Sequence, residues 1–174
     1  LGGELSVGHS FVFGGDFPAV DTLRASALGA DLVAREGRWQ IKRIYTAESW
    51  NPELKAPLAQ PNLKVDEGDY ILSIDGQPLT AEQDPYELLD GKAGMQTELS
   101  VNNKPSVEGA RTIKVVPIER EGALRQRAWI EDNRRKVDEL SHGKLGYVWV
   151  PNTAGAGFTY FNRYFFSQQD KEGM

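Results

Sequence analysis

Residues 65–76 read VDEGDYILSIDG. Tyr70, Leu72 and Ile74 alternate with Ile71 and Ser73, which is the period of a short β-strand with an apolar face. Gly68 precedes this run and Gly76 follows it, each at a point where the backbone turns in ways a side chain would obstruct. The Asp75–Gly76 pair predicts a hairpin-type turn into a short strand through Leu79. A strand of this length is not stable alone, so its neighbours decide which sheet it joins.

Working outward, ALGADLVA (27–34) predicts a short strand and EGR a turn. WQIKRIYTA (39–47) predicts a second strand with Trp39, Ile41, Arg43 and Tyr45 on one side. The prolines of ESWNPELKAPLAQPNLKV (48–65) favour a short helix or irregular turns over a strand. Downstream, EQDPYELLDGKAG (82–94) predicts a short helix capped by Asp84, with Pro85 in its first turn and Gly91 at its end. MQTELSV (95–101) and ARTIKVVPI (110–118) predict two further strands joined by NNKPSVEG. After Pro117 the character changes. Leu124, Ala128, Trp129, Asn133, Val137 and Leu140 recur at helical spacing up to Gly143. KLGYVWVP (144–151) then reads as a strand, NTAGAG as a loop and FTYFNRYFFSQQ (158–169) as an aromatic helix, the order that opens an α/β domain. The fold class expected is mainly β with α, in three parts: 1–26, 27–118 and 119–174.

Composition excludes several classes of function. A net charge of −5 argues against a general nucleic-acid binder, because phosphate contacts need a basic surface. No long apolar run predicts a membrane span, and LGGELSVGHS lacks the basic head and apolar stretch of a signal peptide. The absence of cysteine excludes disulfides and thiol chemistry and fits a cytoplasmic protein. His9 and His142 are the two histidines; with no acidic partners at ligand spacing they predict no metal site, and no cofactor is expected. The chain does not begin with methionine and reads as a piece of something longer or as a mature product.

The pattern Gly-Asp-x-Ile-Leu-x-Ile-Asp-Gly over 68–76, set behind a proline- and leucine-rich turn, resembles the PDZ domain in the arrangement of bacterial proteases. The resemblance covers roughly 27–118 and implies a partial β-barrel. It also implies a groove in which an extended peptide adds to a strand edge while an apolar-glycine loop holds its terminal carboxylate. Carried over, the loop is Leu28-Gly29-Ala30, the edge begins at Asp31 and Leu32, and the facing helix offers Tyr86 and Leu89. Asp31 beside the loop is unfavourable to a carboxylate. The competing reading of Leu28 and Leu32 is plain core.

Both flanks carry a second resemblance. GELSVGHSFVFGGD (3–16) is similar to the stretch that bears the catalytic histidine of tricorn-type serine peptidases. GKLGYVWVPNTAGAGFTYFNRYFF (143–166) resembles the first strand, loop and helix of their α/β catalytic domain. The implied order is the end of a small helical domain, a PDZ domain, and the start of the nucleophile domain. His9 falls on the catalytic histidine, and Gly8 stands where relatives often carry a helper serine. On position alone His9 reads as an ordinary terminal histidine; the resemblance assigns it the role of general base. No serine here matches the family's nucleophile motif, so the chain alone is expected to be inactive. The resemblance also implies peptide substrates, the remainder of the parent peptidase as partner, and a homo-oligomer at full length. The competing reading is a non-catalytic peptide-binding or scaffolding module. His142, at a helix end, reads as a favourable C-terminal charge.

Overall fold

The structure is a computed structural model and describes residues 4, 8, 11, 13–18, 25–46, 48, 51 and 54–174. In chain order its elements are β1 (Ala30–Arg35), β2 (Arg38–Ile44), β3 (Tyr70–Ile74), β4 (Gln77–Pro78), α1 (Pro85–Leu89), β5 (Thr97–Asn102), β6 (Arg111–Val115), α2 (Gly122–Leu140) and α3 (Gly155–Phe166). The strands form one antiparallel sheet in the order β1-β2-β3-β5-β6, with β4 paired to β3.

Local chemistry sets the register. Ile74 pairs with Gln77 across the turn at Asp75 and Gly76, whose φ values are 47° and 77°. Two successive positive φ angles define the type I′ turn that suits twisted hairpins, and glycine carries the second at little cost. Asp75 Oδ1 also accepts from Glu98 N–H at 2.7 Å, fastening the turn to β5. β3 therefore sits centrally, with Ile71 opposite Trp39 of β2 and Ile74 opposite Leu99 of β5. Beyond β6 the chain returns to the start of the sheet. Ala27 and Ile118 exchange both backbone hydrogen bonds, at 2.8 and 3.0 Å. That bridge curls the sheet into a partial barrel.

The apolar faces converge on one core of Ile41, Ile71, Ile74, Leu79, Leu89, Leu99 and Val101, roofed by Leu58 and Leu63 from the irregular stretch before β3. α1 completes the roof: Asp84 Oδ1 accepts from Tyr86 N–H at 2.9 Å, Pro85 occupies the first turn, and Leu89 is fully buried.

α2 buries Leu124 and Ile130, while Trp129 stays 51% exposed, so its inward face is rotated from the one the spacing predicts. The rotation follows from polar anchors. Arg43 of β2 donates to both oxygens of Asp132 (2.7 and 3.0 Å), and Arg127 donates to Glu48 at 3.1 Å. α3 packs on α2 through Tyr164, which donates to Glu131 at 2.8 Å, and Arg163 joins Glu48 as well. α3 starts at Gly155, earlier than expected, because Asn152 Oδ1 accepts from the Ala154 and Gly157 amides at 2.9 and 3.1 Å and organises the first turn.

One expected element is corrected. Residues 144–151 form no strand; the segment makes a single parallel bridge, Leu145 to Gly173. Alternating apolar residues extend a chain, but a strand exists only where a neighbour supplies a ladder. Among the described residues no other strand supplies that ladder; the Gln168 side chain instead bonds the Tyr147 backbone N–H and O, at 3.1 and 3.0 Å. Most of the strand expected over the first sixteen residues lies outside the described residues. Phe11 and Phe13 are described, and their exposed rings stack at 5.9 Å.

Candidate functional site

β1 is the end strand of the sheet, and among the described residues its outer edge has no strand partner. Of the residues expected to form a groove there, Leu28, Ala30 and Leu89 are buried in the main core, and Leu32 packs against it half-buried. Val33 (38%) and Tyr86 (43%) are exposed, on β1 and on α1. Gly29 leads into the strand at φ 70°. A Cβ there would stand 3.1 Å from Pro57 Cδ and 3.2 Å from Leu124 Cδ1, so the conformation favours glycine and a side chain would press on both neighbours.

Around this loop lies a polar cluster. Gly29 N–H donates to Glu121 Oε2 at 3.1 Å, and Gly29 O accepts from Tyr45 N–H at 2.9 Å. Arg125 Nη1 donates to Asp31 Oδ1 at 2.7 Å and to Tyr45 Oη at 2.8 Å; Arg125 Nε donates to Glu121 Oε1 at 2.7 Å. Tyr45 Oη donates to Asp31 Oδ2 at 2.9 Å, and the Arg125 guanidinium lies 4.8 Å from the Tyr45 ring centroid. Burial pushes the Asp31 carboxyl up, but the hydrogen bonds from Arg125 and Tyr45 outweigh it and hold the group below its ordinary value. Burial and then the Asp31 bond push the Tyr45 hydroxyl up.

Sequence reasoning found Asp31 but missed Glu121 and Arg125. Their i, i+4 spacing was visible as an ion pair; their meeting with a loop some ninety residues away depends on the Ala27–Ile118 closure. His9 lies outside the described residues. His142 is exposed at the end of α2 with φ 53°, where the Gly143 amide bonds back to Asp138 O at 2.7 Å. Among the described residues no group of His, Cys, Asp or Glu could hold a metal ion. Among the same residues no helix is long and apolar enough to cross a membrane.

The carboxylates that anchor α2 and α3 predict acid sensitivity. Hydrogen bonds from Arg43 and from Arg163 hold Asp132 and Glu48 below the ordinary range. For Glu131 burial acts upward, but Tyr164 and Arg134 reverse it; burial and the same Glu131 bond push Tyr164 up to about 12. Depressed carboxyls bind fewer protons folded than unfolded, so their stabilisation is complete above the unfolded values of about 3.9 to 4.3 and drains away below them. The melting temperature is expected to stay level from about pH 7 to 5 and to fall below about 4, with α2 amides losing exchange protection before those of β5. A melting temperature that climbs on acidification would contradict these ion pairs.

An antiparallel partial barrel, with a glycine loop feeding an end strand and a short helix alongside, defines the PDZ class of domain. Residues 26–120, more than half of the sequence, match the tricorn protease PDZ domain, and the chain belongs to that family. It is similar to tricorn protease homolog 1 of Streptomyces coelicolor, 38% identical over 176 residues covering 99% of this chain and 16% of that protein. The tricorn protease of Thermoplasma volcanium is 28% identical over 172 residues, again with coverage of 99% and 16%. The crystal structure of the tricorn protease superposes with a TM-score of 0.77 at 27% identity, covering 94% of this chain and 16% of that one. The chain thus spans 16% of the length of these relatives.

Proposed function

We propose that this chain is the PDZ-bearing middle segment of a tricorn-type serine endopeptidase that degrades peptides, with 1–26 and 119–174 belonging to its catalytic parts. The observation that carries the reading is coverage: likeness to named tricorn proteases runs over 99% of the chain, well past the PDZ unit on both sides. In this reading His9 is the general base. A serine hydroxyl is barely ionised at neutral pH, so it needs an adjacent imidazole to take its proton and return it to the leaving amine. The β1 edge and α1 form the peptide groove, where Leu32, Val33 and Tyr86 offer apolar contact to an added strand.

A covalent probe tests the serine-peptidase reading. In the full-length parent, a fluorophosphonate is expected to label one serine outside these 174 residues and to abolish turnover of an unstructured peptide. Undiminished turnover after exhaustive treatment overturns the serine mechanism. A parent with neither labelling nor turnover would be a non-catalytic peptide-binding module instead.

A further inference from the structure

Glu121 immediately precedes the first turn of α2, yet its side chain makes no capping bond to that helix. An acidic group there would ordinarily serve the helix amides. Its two oxygens are turned to the Gly29 amide and to Arg125, and the side chain is only 14% exposed. The backbone brings this about. Ala27 and Ile118 are bridged, so Gly29, two residues on, and Glu121, three residues on, are delivered to the same place. Leu124 of the same helix closes over Gly29.

A carboxylate bonded to the amide of a glycine loop, at the head of an end strand, is the contact an extended peptide makes with its C-terminus. Here the chain supplies that carboxylate itself. The surrounding charge agrees. Asp31 and Glu121 already share the Arg125 guanidinium, so an incoming terminal carboxylate would be a third anion facing an engaged cation. On α1, the other wall of the groove, the Tyr86 hydroxyl is pushed up first by burial and then by the Glu121 charge.

We propose that Glu121 is a resident carboxylate that closes the loop against peptide C-termini, leaving the β1 edge beyond Asp31 to internal extended segments. The proposal rests on β1 and α1 forming a peptide groove. It makes Glu121 a specificity-determining residue.

The experiment is a 15N NMR titration of the chain with the pentapeptide Ala-Ala-Thr-Leu-Val as free acid and as C-terminal amide. In the native chain the Gly29 amide is expected to resist exchange and to stay unmoved by the free acid, with any shifts confined to the β1 edge and α1 and equal for both peptides. In Glu121→Ala the loop amide and Arg125 are released. The free acid is then expected to bind about tenfold or more tighter than the amide, the scale of one hydrogen bond to a charged group, and to move Gly29. Glu121→Gln, which keeps the shape and loses the charge, carries the same prediction to a smaller degree and serves if the alanine variant unfolds. A native chain that binds the free acid as tightly as the variant, through Gly29, overturns the occlusion and leaves the groove standing. If neither peptide moves β1 or α1 in any of these proteins, the groove reading fails and the occlusion with it.

Discussion

Replacing His9 by alanine in the full-length parent is expected to lower peptide turnover roughly 10⁴- to 10⁶-fold, the range seen when a member of a serine triad is removed. The melting temperature should not change. The size of the effect follows from the proposed role of His9 as general base. Without an imidazole nearby the serine proton has no acceptor, and the residual rate is what binding and the oxyanion site supply alone. The paired control is His142→Asn. His142 occupies a left-handed backbone position at the end of α2, which asparagine tolerates, and it is exposed there. That variant should keep its turnover. Equal losses in both variants, or an active His9→Ala enzyme, would remove His9 from the chemistry.

The second large effect belongs to the barrel. Leu99 is 0% exposed, lies in β5 between Ile74 of β3 and Ile113 of β6, and belongs to the main core. Leu99→Ala is expected to cost about 2 to 5 kcal/mol, because the lost burial is compounded by a cavity that a sheet held on both sides cannot close. Against a total stability of about 5 to 15 kcal/mol this is a large fraction. A domain of this size should lose roughly 4 to 20 °C in melting temperature. Val107→Ala, at a loop position 70% exposed, should change stability by no more than about 0.5 kcal/mol. Denaturant melts of the two variants check this; a loss below about 1 kcal/mol for Leu99→Ala would mean that β5 is not central.

Features governed by neighbours in sequence were legible in advance. The β3 strand follows from alternation between two glycines, and α1 follows from an Asp-Pro start and a glycine stop. The order of strands and the partial barrel became legible through resemblance to a known domain, with the physics of the turns in agreement. Features that need a distant partner were not legible. Residues 144–151 read as a strand, but among the described residues they form a bridge only with Gly173. The inward face of α2 is set by Arg43 and Glu48, which lie on another part of the chain, so Ile130 turns in and Trp129 turns out. Asn152 was read as part of a loop, although its side chain starts a helix. Glu121 and Arg125 stand at i, i+4 spacing, which by itself points to no more than an ion pair along one helix, and nothing local says that the other Glu121 oxygen belongs to Gly29.

The bridge between Ala27 and Ile118 makes the barrel, in topological terms, an insertion. The polypeptide goes in and comes out at adjacent points, with two hydrogen bonds as the seam. A host scaffold that carries such a unit spends almost no loop-closure entropy on it, because the folded insert holds its own ends together. Ala27 and Ile118 are therefore held together as though the ninety or so intervening residues were a short turn. The same seam is a mechanical junction: a disturbance that pries Ala27 from Ile118 is felt on both sides of the insert at once.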